Sequence, residues 1–282
     1  MMRLLKGKTV VNHKIPELKA QVSRLRADDV EPTLAVIMAG KDPASELYLK
    51  AQKKMAVRIG IRQQNYFLPS NASQESFLSL IRELNQDSKI HAILVELPLP
   101  AHLDENLVTQ TISADKDVDG MTDVNIGRLW RGTSVIAPAT AAGIMTLLHA
   151  YRIQISGHFV VIVGRSQIVG RPLSALMLRE NATVVIAHSH THDLKDLTRQ
   201  ADILITDIGI PKLITSDMVK KESVIVDVGI NRARGRLCGD VDFERVAPLV
   251  HAITPVPGGV GPVTVISLMQ QVSDLARRQY GR

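Results

Sequence analysis

Four polar side chains in the first half of the chain are of types, and at spacings, that could place them together in a catalytic site. Tyr48 and Gln52 are four residues apart in a helix-like segment, so their directions differ by only about 40° and they share one face. Glu96 follows the aliphatic run Ile93–Val95, at the carboxyl end of a predicted strand. Asp119 lies in an acidic loop. A carboxylate such as Glu96 is a candidate general base.

A second candidate site lies at a glycine-containing turn. The aliphatic run Phe159–Val163 leads into Gly164 and then into a predicted helix, so a tight turn would bring backbone amides and a helix N-terminus towards a pyrophosphate. The spacing departs from G-x-G-x-x-G, because Ser166 occupies the second glycine position and Gly170 comes one residue late. On this motif alone, a dinucleotide site and a simple tight turn both remain open.

The end of the next strand favours NADP over NAD. An NAD site usually offers an acidic residue about 20 residues after the glycine turn. Here the run is His188-Ser189-His190, and Arg165 lies in the preceding loop, so a 2′-phosphate would be accepted. Ordinary surface histidines are the alternative interpretation of this run. Asp227–Asn231 ends a later strand of the same series, on the edge where ligands bind.

Short aliphatic runs alternate with helix-length segments along the whole chain, which predicts an α/β fold with parallel sheets. Asp42, Pro43 and Gly60 have the types expected at the ends of the first well-marked helix. The last helix is predicted over 263–278 and is expected to return to the first domain. The predicted strands are Leu34–Ala39, Tyr66–Leu68, Ile90–Leu97, Phe159–Val163, Thr183–Ala187, Ile203–Thr206, Val224–Val228 and Ala252–Thr254.

Composition narrows the function classes. The chain has 282 residues with 45% hydrophobic and 22% charged, the balance of a folded globular protein. No apolar run approaches the roughly 20 residues of a membrane span. A single cysteine, Cys238, excludes an internal disulfide and suggests a reducing compartment. The net charge of +6 is scattered, which disfavours nucleic-acid binding and leaves a solvated surface or an anionic small ligand.

Six segments together resemble the bifunctional methylenetetrahydrofolate dehydrogenase/cyclohydrolase family, over nearly the whole chain. One of them is a stiff proline- and glycine-rich turn that leads into the last helix. In order, the segments are Asp42–Ser45 with Tyr48, Leu94–Pro100, Asp115–Gly120, Gly164–Pro172, Asp227–Asn231 and Thr254–Thr264.

The resemblance implies two α/β domains facing each other across a cleft, the second a Rossmann-type parallel sheet. The expected folate domain covers residues 1–137 with the C-terminal helix 263–282, and the expected NADP domain covers 138–262. It also implies NADP-dependent oxidation of 5,10-methylenetetrahydrofolate to the methenyl cation, followed by hydrolysis to 10-formyltetrahydrofolate. A cytoplasmic homodimer that binds no nucleic acid or membrane is expected.

The resemblance also implies roles for individual residues, and no metal ligands among them. Tyr48, Gln52, Glu96 and Asp119 fall at catalytic positions. The residues expected at the folate are Tyr48, Leu97, Pro98, Asp119, Pro257, Gly258 and Gly259. Those expected at the cofactor are Gly164, Arg165, Ser166, Val169, Ser189, Gly209, Gly229, Ile230 and Thr264.

Two departures from the family pattern affect the chemistry. The family carries a lysine where this chain has Gln52, and a glutamine where it has Glu96. Lys50 and Lys53 lie on other faces of the predicted helix, so neither is expected to substitute. Glu96 could act as general base on water, or its charge could stabilise the methenyl cation and slow hydrolysis. An impaired paralogue that binds folate and NADP without turnover is the alternative.

A third departure lies beside the predicted cofactor loop. Asp207 stands where the family usually has a small apolar residue, and its charge would either repel a pyrophosphate or point away from it.

Overall fold

The computed structural model describes residues 2–40, 43–134, 136–233 and 235–281, and gives no side-chain detail for 43–47 and 233. The predicted helix cap Asp42 therefore lies outside the described residues. Two compact units are present. The six-stranded unit comprises Met1–Asn12 and Pro138–Thr264, and the three-stranded unit comprises His13–Ala137 and Val265–Arg282.

Strands and helices alternate along most of the chain, which confirms the α/β class. In chain order the elements are β1 (Arg3–Leu4), α1 (Gly7–Ala27), β2 (Thr33–Ala39), α2 (Pro43–Ile59), β3 (Arg62–Leu68), α3 (Gln74–Gln86), β4 (Ala92–Val95), α4 (Glu105–Thr111), α5 (Asp123–Trp130), α6 (Ala139–Ala150), β5 (Phe159–Val163), α7 (Gly170–Arg179), β6 (Thr183–Ala187), α8 (Leu194–Thr198), β7 (Ile203–Thr206), β8 (Val224–Asp227), β9 (Asn231–Ala233), β10 (Arg236–Cys238), α9 (Phe243–Val246), β11 (Ala252–Ile253) and α10 (Val260–Tyr280). Among the described residues, no helix is both long and apolar enough to cross a membrane.

The three-stranded unit is built on a parallel sheet of order β3-β2-β4. Helix α3 covers it with a single apolar stripe that includes Phe77 and Ile81, both fully buried. The Ser73 side chain caps this helix by accepting the Ser76 N–H at 3.2 Å. Burial of the aliphatic strands against such stripes stabilises the sheet whose β4 end carries Glu96.

The six-stranded unit contains one parallel sheet of order β1-β11-β8-β7-β5-β6. Strand β5 starts the series, with β6 on one side of it and β7 on the other. The connections therefore change direction between β5 and β7, and in open α/β sheets ligands bind at the carboxyl ends of two such strands. Gly164 follows β5 and Asp207 follows β7, so both lie at this position.

The N-terminal segment lies in a different unit from the one that was expected. Residues 1–137 were expected in one domain, but Met1–Asn12 belong to the six-stranded unit. The reason is that β1 adds to the edge of the large sheet, where Arg3 pairs in parallel with Ala252. The C-terminal residues Val265–Arg282 do cluster with the three-stranded unit, while α10 itself begins earlier, at Val260.

Gly170 should be intolerant of a side chain. A Cβ there would clash with the backbone carbonyl of Gly164, which cannot rotate away. Gly170→Ala should therefore lower the free energy of unfolding by about 1–3 kcal/mol, measured by urea denaturation. Gly261→Ala is the matched control, because a Cβ at this α10 position meets nothing within 4 Å and alanine favours a helix. Equal stability of the Gly170→Ala variant and the wild type would contradict the close approach.

Candidate active site

The centre of the candidate site is a hydrogen bond between Gln52 on α2 and Glu96 at the end of β4. Gln52 Nε2 donates to Glu96 Oε1 at 2.7 Å. Gln52 is fully buried and Glu96 is half-buried. The backbone of Glu96 is itself fixed, because its N–H donates to the Ile37 carbonyl of β2 at 3.0 Å. The two departures from the family pattern therefore contact one another directly.

Burial changes the protonation of this group. Desolvation raises the pKa of Glu96 from 4.5 to about 7; the charge of Asp119 acts in the same direction, and the Gln52 hydrogen bond opposes them. Desolvation, followed by the charges of Asp119 and Glu96, also raises the pKa of Tyr48 far above its ordinary value. Tyr48 therefore stays protonated at neutral pH, while Glu96 is poised to gain or lose a proton.

Gln52 carries an unused acceptor. Among the described residues, its Oε1 has no hydrogen-bond partner and is shielded from solvent. A buried polar atom without a partner costs about 1–3 kcal/mol, so a ligand or water that donates to this oxygen would recover that cost. The neighbouring Lys50 and Lys53 are both exposed, as the helical spacing predicts, so no lysine of this segment replaces the amide.

The acidic loop contains two aspartates, Asp117 and Asp119, whose surroundings differ. Asp117 is buried, and its Oδ2 accepts the Thr122 N–H and hydroxyl, both at 2.8 Å. Residues 116–118 run beside β4, where Ile93 bridges to Asp117. Asp119 is two residues further along, which brings its charge close enough to influence Glu96 and Tyr48. The structure thus gathers all four predicted catalytic residues in the three-stranded unit.

The turn after β5 is tightly constrained. Gly164 adopts a φ of 137°, and a Cβ on it would clash with the Asp207 backbone. The Ser166 hydroxyl donates to Asp207 Oδ2 at 2.8 Å and accepts the Val169 N–H at 3.0 Å. Asp207 therefore binds the turn itself, which settles where its side chain points. Desolvation raises its pKa, with Asp240 adding to the effect and Ser166 opposing it.

Two buried aspartates organise the loops beyond β7 and β8. Asp240 Oδ2 accepts the Ile208 N–H at 2.8 Å and the Gly209 N–H at 3.3 Å. Asp227 accepts the Asp240 N–H at 2.9 Å, and burial raises its pKa to about 6. A Cβ on Gly229 would clash with the Asp240 carboxylate. Asp227 was predicted from the sequence as a site residue, whereas Asp240 was not, because its local sequence gives no signal of its role.

Two histidines lie side by side at the end of β6. The rings of His188 and His190 are 6.0 Å apart, and the His190 N–H donates to His188 Nδ1 at 3.2 Å. Desolvation, then the charges of Arg165 and His190, lowers the pKa of His188. Ser189 follows β6, Arg165 lies in the turn after the neighbouring strand β5, and both are exposed. The arrangement can accept a phosphate.

The remaining predicted site residues are distributed over both units. In the three-stranded unit, Leu97 is half-buried and Pro98 exposed. In the six-stranded unit, the turn before α10 is anchored by the Gly7 N–H, which donates to the Gly258 carbonyl at 2.8 Å. The other positions there are Val169, Gly259 and Thr264, which are buried, and Pro257 and Ile230, which are exposed. Their ligand roles stay predictions.

Glu96→Gln should change stability in a pH-dependent way. The pKa of Glu96 is raised in the folded protein, so its favourable contribution is complete below about pH 4.5 and lost as pH rises through about 7. Glutamine cannot ionise. Relative to wild type, the variant should gain on the order of 2–3 kcal/mol between pH 5 and pH 8, measured by urea unfolding. A stability difference independent of pH would contradict the raised pKa.

Comparison with known proteins identifies both units. Residues 138–280 match the model described as tetrahydrofolate dehydrogenase/cyclohydrolase, NAD(P)-binding domain, and residues 5–119 match the catalytic domain of the same family. A relative from Lactobacillus gasseri, named bifunctional protein FolD, is 50% identical over 282 residues, covering all of both chains.

Solved structures agree with the sequence comparison. The bifunctional FolD methylenetetrahydrofolate dehydrogenase/cyclohydrolase of Campylobacter jejuni is similar with a TM-score of 0.96 and 43% identity, covering 99% of each chain. The Trypanosoma brucei enzyme of the same name, solved with NADP cofactor and an inhibitor, has a TM-score of 0.94 and 34% identity, covering 100% of this chain and 99% of its own. The chain therefore belongs to the tetrahydrofolate dehydrogenase/cyclohydrolase family.

Proposed function

We propose that this enzyme oxidises 5,10-methylenetetrahydrofolate to the 5,10-methenyl cation with NADP, and that Glu96 serves as the base for hydrolysis of the cation to 10-formyltetrahydrofolate. The observation that carries the proposal is the buried Gln52–Glu96 hydrogen bond, with Tyr48 and Asp119 beside it, in the unit that matches the catalytic domain of the family. The substrate class comes from family membership.

The six-stranded unit fits a dinucleotide. The turn at Gly164 leaves no room for a side chain at Gly170, so the backbone forms a compact cradle before α7. Bound there, NADP supplies the hydride acceptor. Arg165, Ser189 and His190 would hold its 2′-phosphate, while Ser166 and Asp207 keep the turn in place. No acidic residue stands at the end of β6, where an NAD site would usually offer one.

The charge of Glu96 supports the oxidation step. Removal of hydride converts a neutral methylene bridge into a cation, so a nearby carboxylate stabilises the product more than the substrate. Tyr48 stays protonated and can orient the ligand as a hydrogen-bond donor. The orphaned Oε1 of Gln52 offers an acceptor to a donor group of the folate or to a water.

Hydrolysis needs a group that can take a proton from water. Tyr48 holds its proton at neutral pH and an amide does not titrate, whereas Glu96, with a pKa of about 7, is matched to this task. It becomes ionised as pH rises through about 7. Hydrolysis through Glu96 should therefore increase with pH over that interval.

Substitutions at Glu96 and Gln52 test the proposed role of Glu96 in hydrolysis. Glu96→Gln should lower hydrolysis by about 100-fold or more while NADPH formation falls by less than about tenfold, because only hydrolysis uses the base. Gln52→Lys combined with Glu96→Gln restores the usual family pair and should raise hydrolysis above that of the single variant. Both half-reactions are measured by steady-state absorbance between pH 5.5 and 8.5.

The outcomes separate the alternatives. Unchanged hydrolysis in the Glu96→Gln variant would show that Glu96 is not the base. Absence of NADPH formation by the wild type would defeat the dehydrogenase proposal. If calorimetry then still detected folate and NADP binding, the chain would be an impaired binding paralogue.

Cofactor choice can be tested at Arg165. Arg165→Ala should raise the KM for NADP by about tenfold or more and leave the KM for NAD nearly unchanged, because only NADP carries the 2′-phosphate. Arg199→Ala, an exposed arginine after α8, is the control in the same unit and should change neither constant. Equal losses with both cofactors would place Arg165 at another part of the nucleotide.

We further propose a homodimer in a reducing, cytoplasmic compartment. The homodimer rests on the family resemblance, and the compartment on the single cysteine, Cys238.

A further inference from the structure

A second concave site lies on the six-stranded unit, at the edge opposite the predicted nucleotide turn. We call it the amino-edge pocket. It has a volume of about 390 Å³ and is formed where β5, β7 and β8 begin, beside β1. Strands rise about 3.3 Å per residue, so the five-residue β5 separates this edge from Gly164 by roughly 15 Å. The proposed catalytic function does not use this pocket.

Basic side chains dominate its lining. The cationic side chains are Arg3, Arg152, Lys220 and Lys221, with His158 and His251 beside them. Only two acids, Asp202 and Glu222, line the same pocket.

The two acids leave much of this charge uncompensated. Asp202 already accepts Lys220 Nζ at 2.5 Å and the Phe159 N–H at 2.9 Å. The Glu222 side chain is 83% exposed, and its recorded ion pair is a long 3.9 Å contact to His251. Within the described ranges, neither Arg152 nor Lys221 forms an ion pair with a carboxylate.

Parts of this cationic lining are held in place. Arg3 Nη1 donates to the Tyr151 carbonyl at 2.9 Å, and its guanidinium stacks over the Tyr151 ring at 4.8 Å. Arg152 has a φ of 55° and Glu222 a φ of 61°, conformations in which glycine would be less strained. Arg3 is thus positioned before any ligand binds, and Lys220 is held by its bond to Asp202.

We propose that the amino-edge pocket binds a small molecule carrying a di- or triphosphate group. Arg3, Arg152 and Lys221 form no ion pair with a carboxylate among the described residues, so their three charges match such a group, and arginine is suited to phosphate oxygens. The concave shape and volume fit a small ligand. No exposed aromatic side chain lines the pocket to stack on nucleic-acid bases, since Tyr151 is buried.

Calorimetric titration with sodium tripolyphosphate tests this pocket. The titration is run on protein saturated with NADP, so that the carboxyl edge is occupied, and on protein without NADP. Arg152→Gln combined with Lys221→Gln should raise the Kd for tripolyphosphate by about tenfold or more. The matched control is Lys19→Gln with Arg24→Gln, an equal loss of charge on the exposed face of α1. It should change the Kd by less than about twofold.

Three results would overturn the proposal. The first is that tripolyphosphate does not bind the wild type. The second is that its Kd is unchanged in the Arg152→Gln, Lys221→Gln variant. The third is that a single-stranded oligonucleotide binds the wild type more tightly than tripolyphosphate does, and that the same variant weakens this binding. A rise in the Tm of wild type on adding tripolyphosphate, lost in the pocket variant whose own Tm is unchanged, would show that the variant folds and lacks the site. Failure of NADP to bind would defeat the proposed function and leave the NADP-free titration a valid test of the pocket.

Discussion

The protonation of the candidate site in the three-stranded unit depends on one constraint: the Glu96 carboxyl is largely removed from water, and among the described residues only the Gln52 side chain donates to it. Gln52 Nε2 donates to Glu96 at 2.7 Å, but one neutral donor does not replace the hydration that a carboxylate loses on burial. The pKa of Glu96 rises to about 7 in consequence. A lysine at position 52 would instead hold a neighbouring carboxylate ionised. Beside Gln52, Glu96 therefore titrates near neutrality, whereas beside a lysine it would stay ionised at neutral pH.

The six-stranded unit holds its buried carboxylates with a different set of donors. Asp240 accepts two backbone N–H groups and the Asn231 amide, and Asp227 accepts several backbone N–H groups of the same loops. All of these donors except the Asn231 amide belong to the main chain, so the bonds fix the path of the loops after β7 and β8. Asp207 adds the Ser166 hydroxyl and ties the glycine turn to β7. The three-stranded unit thus holds a carboxyl group that titrates near neutrality, while the six-stranded unit uses carboxylates to fix its loops.

The sequence predicted the strands better than the ends of the chain. Phe159–Val163, Thr183–Ala187 and Ile203–Thr206 begin and end as predicted, because each is a continuous, mostly aliphatic run of the kind found in parallel sheets. Ile203–Thr206 is buried throughout, whereas the edge strand Thr183–Ala187 is only partly buried. Helix α1 was not predicted: Pro16 lies inside it, although its buried residues Val11, Ile15, Leu18, Val22 and Leu25 recur at helical spacing. Strand β1 has two residues and a partner nearly 250 positions away, a pairing that local patterns cannot indicate.

For the candidate sites, residue types and spacing predicted which side chains would gather, but not their hydrogen bonds. The helical spacing separated Gln52 from its exposed lysine neighbours, and the glycine turn was placed between the correct strand and helix. The burial of Gln52, its orphaned oxygen and the direct bond to Glu96 depend on how α2 packs against the end of β4. The role of Asp240 likewise requires the loops to be folded, because its partners Ile208 and Gly209 are over 30 positions away.

The most direct test of this account is an infrared titration of the Glu96 carboxyl, taken as the difference between wild-type protein and the Glu96→Gln variant. If burial beside Gln52 raises the pKa of Glu96 to about 7, the infrared band of the protonated acid disappears as pH rises, with a midpoint near pH 7. Gln52→Lys should move this midpoint to lower pH. A midpoint near the ordinary value of 4.5 in the wild-type protein would show that burial beside an amide does not set the protonation of this site.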